Sequence, residues 1–330
     1  MFIINDYPVS VLFCVVTMFC WGSWANTSKI STEKWPFPLF YWDYSLGLII
    51  MSIVYGLTMG STGAGGRSFL PDLQQAHAPS ILTALAGGVI FNLSNLLIVA
   101  AISIAGLSVA FPIGVGLALV IGVIVNYIKQ PTGNPVLLLL GVLLVVTAML
   151  VNARISSRLS HSQGKTSTKA IGLSVMAGII MGFFYRFVAD GMITSFSDPT
   201  PGKLTPYSAV LVFSIGVFLS NFIWNTYFMY RPVDGRGATY AGYFQNGTLR
   251  EHLIGILGGL IFNTGFLFNL IASDKAGPAI SYGLGQGSTM IGAAWGVFVY
   301  KEFKGASAYA LAIMFIAFIL GLALIVTARL

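Results

Sequence analysis

Gly87-Gly88-Val89-Ile90-Phe91-Asn92 recurs as Gly258-Gly259-Leu260-Ile261-Phe262-Asn263. Taking 87 from 258 gives an offset of 171. The same offset, without a gap, pairs Ala101 with Ala272, Gly106 with Gly277, Phe111 with Tyr282, Gly114 with Gly285 and Gly116 with Gly287. A neighbouring offset of 169 pairs Tyr44-Ser45-Leu46-Gly47 with Phe213-Ser214-Ile215-Gly216. Chance accounts for the second match on its own, but not for the first. The chain reads as one unit used twice.

The flanks say what kind of unit. A helix needs about 20 apolar residues to cross a hydrocarbon core. Runs at or near that length cover approximately 9–28, 40–60, 80–104, 107–128, 135–153, 170–192, 206–230, 251–272, 277–300 and 306–328. Pro8, Pro79, Pro135, Pro206 and Pro278 stand at or near run starts, where the missing N–H costs least. Pro112 falls inside the fourth run and predicts a kink or a freed carbonyl. Ile104–Gly106 and Ser273–Gly277 are too short for anything but tight helical hairpins. Of 330 residues, 56% are hydrophobic and 8% charged; soluble domains carry about a quarter charged residues, so lipid is the main solvent here. The expected fold is an all-α integral membrane protein, with ten transmembrane helices in two five-helix repeats. Residues 1–153 form the first repeat, 154–169 a basic central loop and 170–330 the second repeat.

Five is odd, so the second unit inserts upside down. Inverted repeats of this kind recur in transporters, with the solute site near the midplane where the halves meet. The net charge of +7 is scattered singly between apolar runs, which argues for topology determinants over a nucleic-acid surface. With the N-terminus outside, Lys29, Lys34, Arg154, Arg158, Lys165, Lys169, Arg231, Arg236, Arg250, Lys301 and Lys304 fall inside. They outnumber Arg67, Lys129, Arg186, Lys203, Lys275 and Arg329 outside. Both termini are then expected outside and the central loop in the cytoplasm of an inner or plasma membrane. No removable signal peptide is expected, because Met1–Ser10 carries Asp6 and no Lys or Arg. Cys14 and Cys20 share one helix six residues apart, a spacing that disfavours a disulfide.

The segments Trp21-Gly22-Ser23, Tyr41-Trp42-Asp43-Tyr44-Ser45, and Gly87-Gly88-Val89 followed by Asn95 and Gly106-Leu107-Ser108-Val109 resemble the ureide permease-like family. That family belongs to the drug/metabolite transporter superfamily, alongside rhamnose–proton symporters and glucose/ribose porters. The likeness covers both halves and is best in spans two to four. It implies ten helices in inverted fives and proton-coupled uptake of small polar solutes such as ureides, purine derivatives or sugars. Export of metabolites also occurs in the superfamily and is the alternative direction. Plant members carry a longer central loop with a nucleotide-loop-like motif. Here Gly164-Lys165-Thr166 matches only its tail, because Leu159 stands where the first glycine would be, and the strand–loop–helix context is missing. No nucleotide cofactor is expected.

Ionisable groups within spans are costly and so are functional candidates by default. Asp43 near the start of the second span, and Arg186 with Asp190 in the sixth, are the proton-coupling or gating candidates. Arg186 and Asp190 are four apart and share a helix face; a snorkelling structural pair competes with the gating role. For Asp43 the competing role is an interfacial cap beside an aromatic belt. Neutral polar residues are the expected solute contacts: Asn92 and Asn95 on the third span, Asn263 as the repeat mate of Asn92, and Tyr282 and Gln286 on one face of the ninth. Trp21 supplies a flat ring, and Trp24 a shallower one. Such a pocket is mostly apolar with a few convergent polar groups. Interhelical hydrogen bonding competes for the asparagines. Gly114, Gly116, Gly283, Gly285 and Gly287 allow close helix approach, within the core or in a homodimer. His77, His161 and His252 form no metal-ligand cluster, so no metal is expected. The coupling ion is expected to be the proton, with sodium as the alternative.

Two other function classes compete. An intramembrane protease with paired aspartates would need Asp43 and Asp190 to meet near the midplane, and no nucleophile–base pair is present. A receptor-like binding protein would have no need of an inverted duplication.

Overall fold

The structure is a computed structural model that describes residues 1–30, 35–159, 168–233 and 237–330; the side chains of residues 107 and 108 are not described. Lys34, Lys165, Arg236, His161 and the Gly164-Lys165-Thr166 segment lie outside the described residues.

Helix starts follow the proline positions. α1 (Tyr7–Ser23) continues almost without pause into α2 (Ala25–Ile30), and α3 spans Phe37–Leu57. A short α4 (Phe69–Gln75) precedes α5 (Ala78–Ala105), α6 (Leu107–Lys129) and α7 (Pro135–Leu159). The second half runs α8 (Thr168–Gly191), α9 (Pro206–Asn221), α10 (Trp224–Tyr230), a short α11 (Tyr240–Asn246) and α12 (Leu249–Ala276). It ends with α13 (Pro278–Gly285), α14 (Ser288–Ala294), a π-helical turn at Trp295–Val299, and α15 (Ala308–Thr327). Pro8, Pro79, Pro206 and Pro278 each occupy a first-turn position, and Pro135 opens α7. α12 is also capped by a reciprocal Thr248–Glu251 box, which satisfies two orphan N–H groups.

Both expected hairpins are present. Gly106 (φ +76°, ψ 164°) ends α5 and opens α6; Gly277 (φ +82°, ψ 152°) ends α12 and opens α13. Only glycine holds that backbone without steric cost, and the two positions are repeat mates.

Among the described residues, nine helical segments are long and apolar enough to cross a membrane. The expected ninth run, 277–300, is the exception. It breaks at Gln286 (φ −69°, ψ −11°) and Gly287 (φ −59°, ψ −9°). There Gly287 N–H donates to Leu284 O and Met290 N–H to Gly287 O, each at 2.9 Å, so i→i+3 bonds replace the α pattern. Its repeat mate α6 stays continuous past Pro112.

Glycines matched by the sequence offsets lie where α5 meets α9 and where α3 meets α12. A Cβ on Gly88 (α5) would collide with Phe213 O of α9, and one on Gly216 (α9) with Leu85 O of α5. In the mate contact, a Cβ on Gly259 (α12) would strike Tyr44 O of α3, and one on Gly47 (α3) would strike Ile256 O of α12. Side chains at either crossing would force these helices apart.

Candidate functional site

Three layers of polar and aromatic side chains stack along the bundle, one at each end of α3 and one between.

At the start of α3, Asp43 is only 1% exposed. Its Oδ1 accepts from Tyr243 Oη of α11 at 2.5 Å and pairs with His252 Nδ1 of α12 at 2.9 Å. Gly255, one turn along α12, leaves room for the aspartate: a Cβ there would collide with Asp43 Cβ. The Trp35 ring packs on Tyr243 (5.5 Å) and His252 (5.1 Å). The Trp35 indole N–H also interacts with the carboxylate but falls short of hydrogen-bond geometry, leaving Oδ2 without a partner. Burial first, then the hydrogen bond and charge of Asp43, push the Tyr243 phenol above its usual range. It therefore stays protonated and donates. Lys29 and Glu302 close the same end with an exposed 3.1 Å pair, a contact of the kind that contributes little.

Beyond the other end of α3, α4 carries Asp72, which is fully buried. Its Oδ1 accepts from Arg67 Nη1 (2.9 Å) and Gln75 Nε2 (3.3 Å). Its Oδ2 accepts from Thr205 N–H (2.8 Å) and Thr205 Oγ1 (2.9 Å). Thr205 is the N-cap of α9, so a carboxylate from the first half satisfies a helix start of the second, where the dipole favours it. Arg67 also donates to the carbonyls of Pro199 (2.7 Å), Thr200 (3.1 Å) and Lys203 (3.2 Å).

Between these ends lies a continuous aromatic cluster. Trp21 stacks on Phe262 at 5.6 Å, and Trp24 packs on Tyr44 at 4.7 Å. Phe262 meets Tyr44 (5.9 Å) and Phe91 (5.1 Å), and Phe91 leads through Phe184 to Tyr282. Asn95 Nδ2 donates to Tyr41 Oη at 3.0 Å, and Tyr41 stacks on Tyr44 at 5.0 Å. Trp21 Nε1 and Tyr44 Oη are buried without a hydrogen-bond partner.

The expected site residues separate into groups. Trp21 and Asn95 join the central cluster, and so does the ring of Tyr282, whose hydroxyl donates to Ala118 O of α6 at 3.1 Å. Gln286 sits at the helix break, 6% exposed. Asn92 and Asn263 bind neighbouring helices instead. Asn92 Nδ2 donates to Val217 O (3.1 Å) and Ser220 Oγ (2.7 Å) of α9; Asn263 Nδ2 donates to Leu48 O (2.6 Å) and Ser52 Oγ (2.8 Å) of α3. Arg186 Nε donates to Asp190 Oδ2 at 3.0 Å at the far end of α8, where the Asp190 side chain is 42% exposed. Gly191 abuts Ser80 at the start of α5, so Asp190 lies at the Asp72 end. Asp43 and Asp190 thus stand at opposite ends of the bundle, not together as a proteolytic dyad requires. Both cysteines are free thiols. Among the described residues no group of three or more His, Cys, Asp or Glu side chains is placed to hold a metal ion.

Sequence reasoning missed Tyr44, Tyr243, His252 and the Arg67–Asp72–Thr205 cluster. One signal was present for Tyr44: its repeat mate is Phe213, so its hydroxyl belongs to one half alone.

A family model described as Ureide permease matches residues 40–171 and 161–328. Ureide permease 1 of Arabidopsis thaliana is 24% identical over 366 aligned residues, covering 93% of each chain. Probable ureide permease A3 of Vigna unguiculata is 32% identical over 116 residues, about a third of each chain. A solved crystal structure of another protein superposes with a TM-score of 0.62 at 14% identity, covering 97% of this chain and 96% of its own; that likeness shows the fold alone.

Proposed function

This chain belongs to the ureide permease family, and from that premise we propose that it is a multi-pass transporter importing a small polar solute, of the ureide type, by proton-coupled alternating access. The observation that carries the reading is the pair of polar clusters joining the two halves at opposite ends of α3. Each is built on a short helix, α4 or α11, that begins 171 residues from its counterpart (Phe69 and Tyr240). At repeat-equivalent positions of these helices, Asp72 reaches Thr205 of the second half and Tyr243 reaches Asp43 of the first. A symmetric pair of closures around a central ring-lined layer is the device alternating access needs.

Ten crossings in inverted fives fit the same picture. Tyr7 Oη donates to Val326 O at 2.7 Å, so α1 begins and α15 finishes at one end of the bundle. That placement fits an even number of crossings. Counting α13, α14 and the π-turn as one broken span gives ten. Broken helices are tolerated at membrane depth where they are buried in protein or line a cavity, and Gln286 stands at this break. The distribution of Lys and Arg supports a cytoplasmic Asp43 end.

Asp43 is the coupling carboxylate in this scheme. A proton on it removes the charge held by Tyr243 and His252 and loosens the closure at that end. Trp21, Asn95, Tyr282 and Gln286 line the solute layer, while Asn92 and Asn263 hold α5 to α9 and α12 to α3. Arg186 and Asp190 gate the opposite rim. Proteoliposomes loaded at pH 7.5 and diluted to pH 6.0 should accumulate labelled allantoin, a ureide, and a sodium gradient alone should not drive uptake. Asp43→Asn should abolish accumulation while keeping counterflow exchange. Binding without accumulation in the wild type would rule out transport, and undiminished accumulation in Asp43→Asn would rule out this carboxylate.

A further inference from the structure

Other buried polar atoms without partners include the amide oxygens of Asn92, Asn126, Asn225, Asn263 and Asn269, each on a side chain whose –NH₂ is already bonded. Carbonyl oxygens tolerate such under-use better than donors do. Trp35 Nε1, Trp224 Nε1 and Ser208 Oγ are, like Trp21 Nε1 and Tyr44 Oη, sole polar side-chain atoms buried without a hydrogen-bond partner, but Trp21 and Tyr44 present two such donors on rings that both pack on Phe262.

Packing does not explain the Tyr44 hydroxyl. Its repeat mate Phe213 is equally buried and makes the equivalent backbone contact, its carbonyl facing Gly88 as that of Tyr44 faces Gly259. A phenyl ring suffices there. The Trp21 indole is held in place between two glycines of other helices. A Cβ on Gly265 would meet its Cδ1 and Nε1 edge, and a Cβ on Gly285 its Cζ3. An indole N–H can only donate, and a phenol without an acceptor partner is free to donate.

We propose that Trp21 Nε1 and Tyr44 Oη are the specificity-determining donors of the solute layer, each binding a carbonyl-type oxygen of a neutral solute packed against Phe262. This rests on the transport reading above. A site built to donate rejects an analogue that cannot accept, because the buried donor is left unpaired.

The test uses purified protein in liposomes with uracil, a planar cyclic ureide, and its 2-thio and 4-thio analogues, whose sulfur accepts hydrogen bonds poorly. Tyr44→Phe should raise KM for uracil about tenfold with maximum rate and Tm kept, and Trp21→Phe should raise it comparably. In the wild type at least one thio substitution should weaken uptake about tenfold, and that penalty should shrink in the variant lacking the matching donor, as a direct contact requires. Unchanged KM in both variants, or thio penalties equal in wild type and variants, overturns the proposal. Failure of Tyr44→Phe to fold also overturns it, by showing that the hydroxyl holds the bundle. A wild type that takes up neither uracil nor allantoin under any gradient removes the transport reading, and this proposal with it, whereas wild-type uptake with unaltered variants removes this proposal alone.

Discussion

The closures at Asp72 and Asp43 occupy related places and are made of different chemistry. At Asp72 both carboxylate oxygens are fully bonded, and the ionic partner is a guanidinium that does not titrate in proteins. At Asp43 the hydrogen-bond partners are a phenol and an imidazole, both on Oδ1, with the Trp35 indole N–H beside the carboxylate. Imidazole is the side chain whose charge changes most readily near neutrality. The difference teaches that one end is held by an ionic pair with both carboxylate oxygens bonded, while the other is held by a phenol and an imidazole on a single oxygen.

The largest expected effect comes from breaking the ionic end. Asp72→Ala leaves Arg67 facing only carbonyls and the start of α9 uncapped, and should cost about 3 kcal/mol. Asp43→Ala breaks the bonds to Tyr243 and His252 and should cost less, about 2 kcal/mol. Thermal unfolding of both variants, monitored by thiol-reactive dye, checks the ranking; a larger loss at Asp43 would reverse the comparison. Next come the crossings the two halves share. Gly47→Ala and Gly216→Ala each press a methyl on a backbone carbonyl of the other half, and each should destabilise by about 1–3 kcal/mol. If the repeat is structural, the two losses agree within about 1 kcal/mol; a tolerated substitution at one site alone would show that the crossings are not equivalent.

Smaller changes sharpen the picture at single bonds. Tyr243→Phe deletes one charge-assisted hydrogen bond to Asp43 and should cost about 1.5 kcal/mol. It should also raise the reactivity of a cysteine placed at Gln245, an exposed position of α11, with no change in a cysteine placed at Gln74 on α4. Equal increases at both ends would mean that the closures are not separable. Arg186→Gln is the smallest. Its partner's side chain is 42% exposed, so stability should fall by only about 0.5 kcal/mol, and a drop several times larger in the same melt would place that pair among the principal closures.

The helix crossings were legible because the matched glycines and asparagines of the sequence fall there, where backbone contact leaves little choice of residue. The hairpins at Gly106 and Gly277 and the proline-marked starts were legible for similar local reasons. The break at Gln286–Gly287 was not. The run 277–300 keeps its apolar length, and the i→i+3 bonds at Leu284, Gly287 and Met290 that interrupt it do not change that length. Asp43 was visible as a charge in a span, but its partners lie 200 and 209 residues away and only the fold joins them. Asp72 and Arg67 sit in a loop by composition, so a search for charges inside spans passed over them. Asn92 and Asn263 were paired by the sequence offset, and the hydrogen bonds they make are interhelical ones that sequence offered as the competing role. Tyr44 was hidden by its conservative difference from Phe213, a single hydroxyl.

Alternation of the two closures is tested most directly by paired distance measurements on one protein. Spin labels at Gln74 and Asp198 report the Asp72 end, and labels at Lys29 and Gln245 the Asp43 end; all four positions are exposed. Double electron–electron resonance would be recorded in liposomes at pH 6.0 and pH 7.5, with and without solute. Alternating access predicts that the two distances move in opposite directions, one lengthening as the other shortens. Distances that lengthen together, or that stay fixed at both ends under every condition, would contradict it.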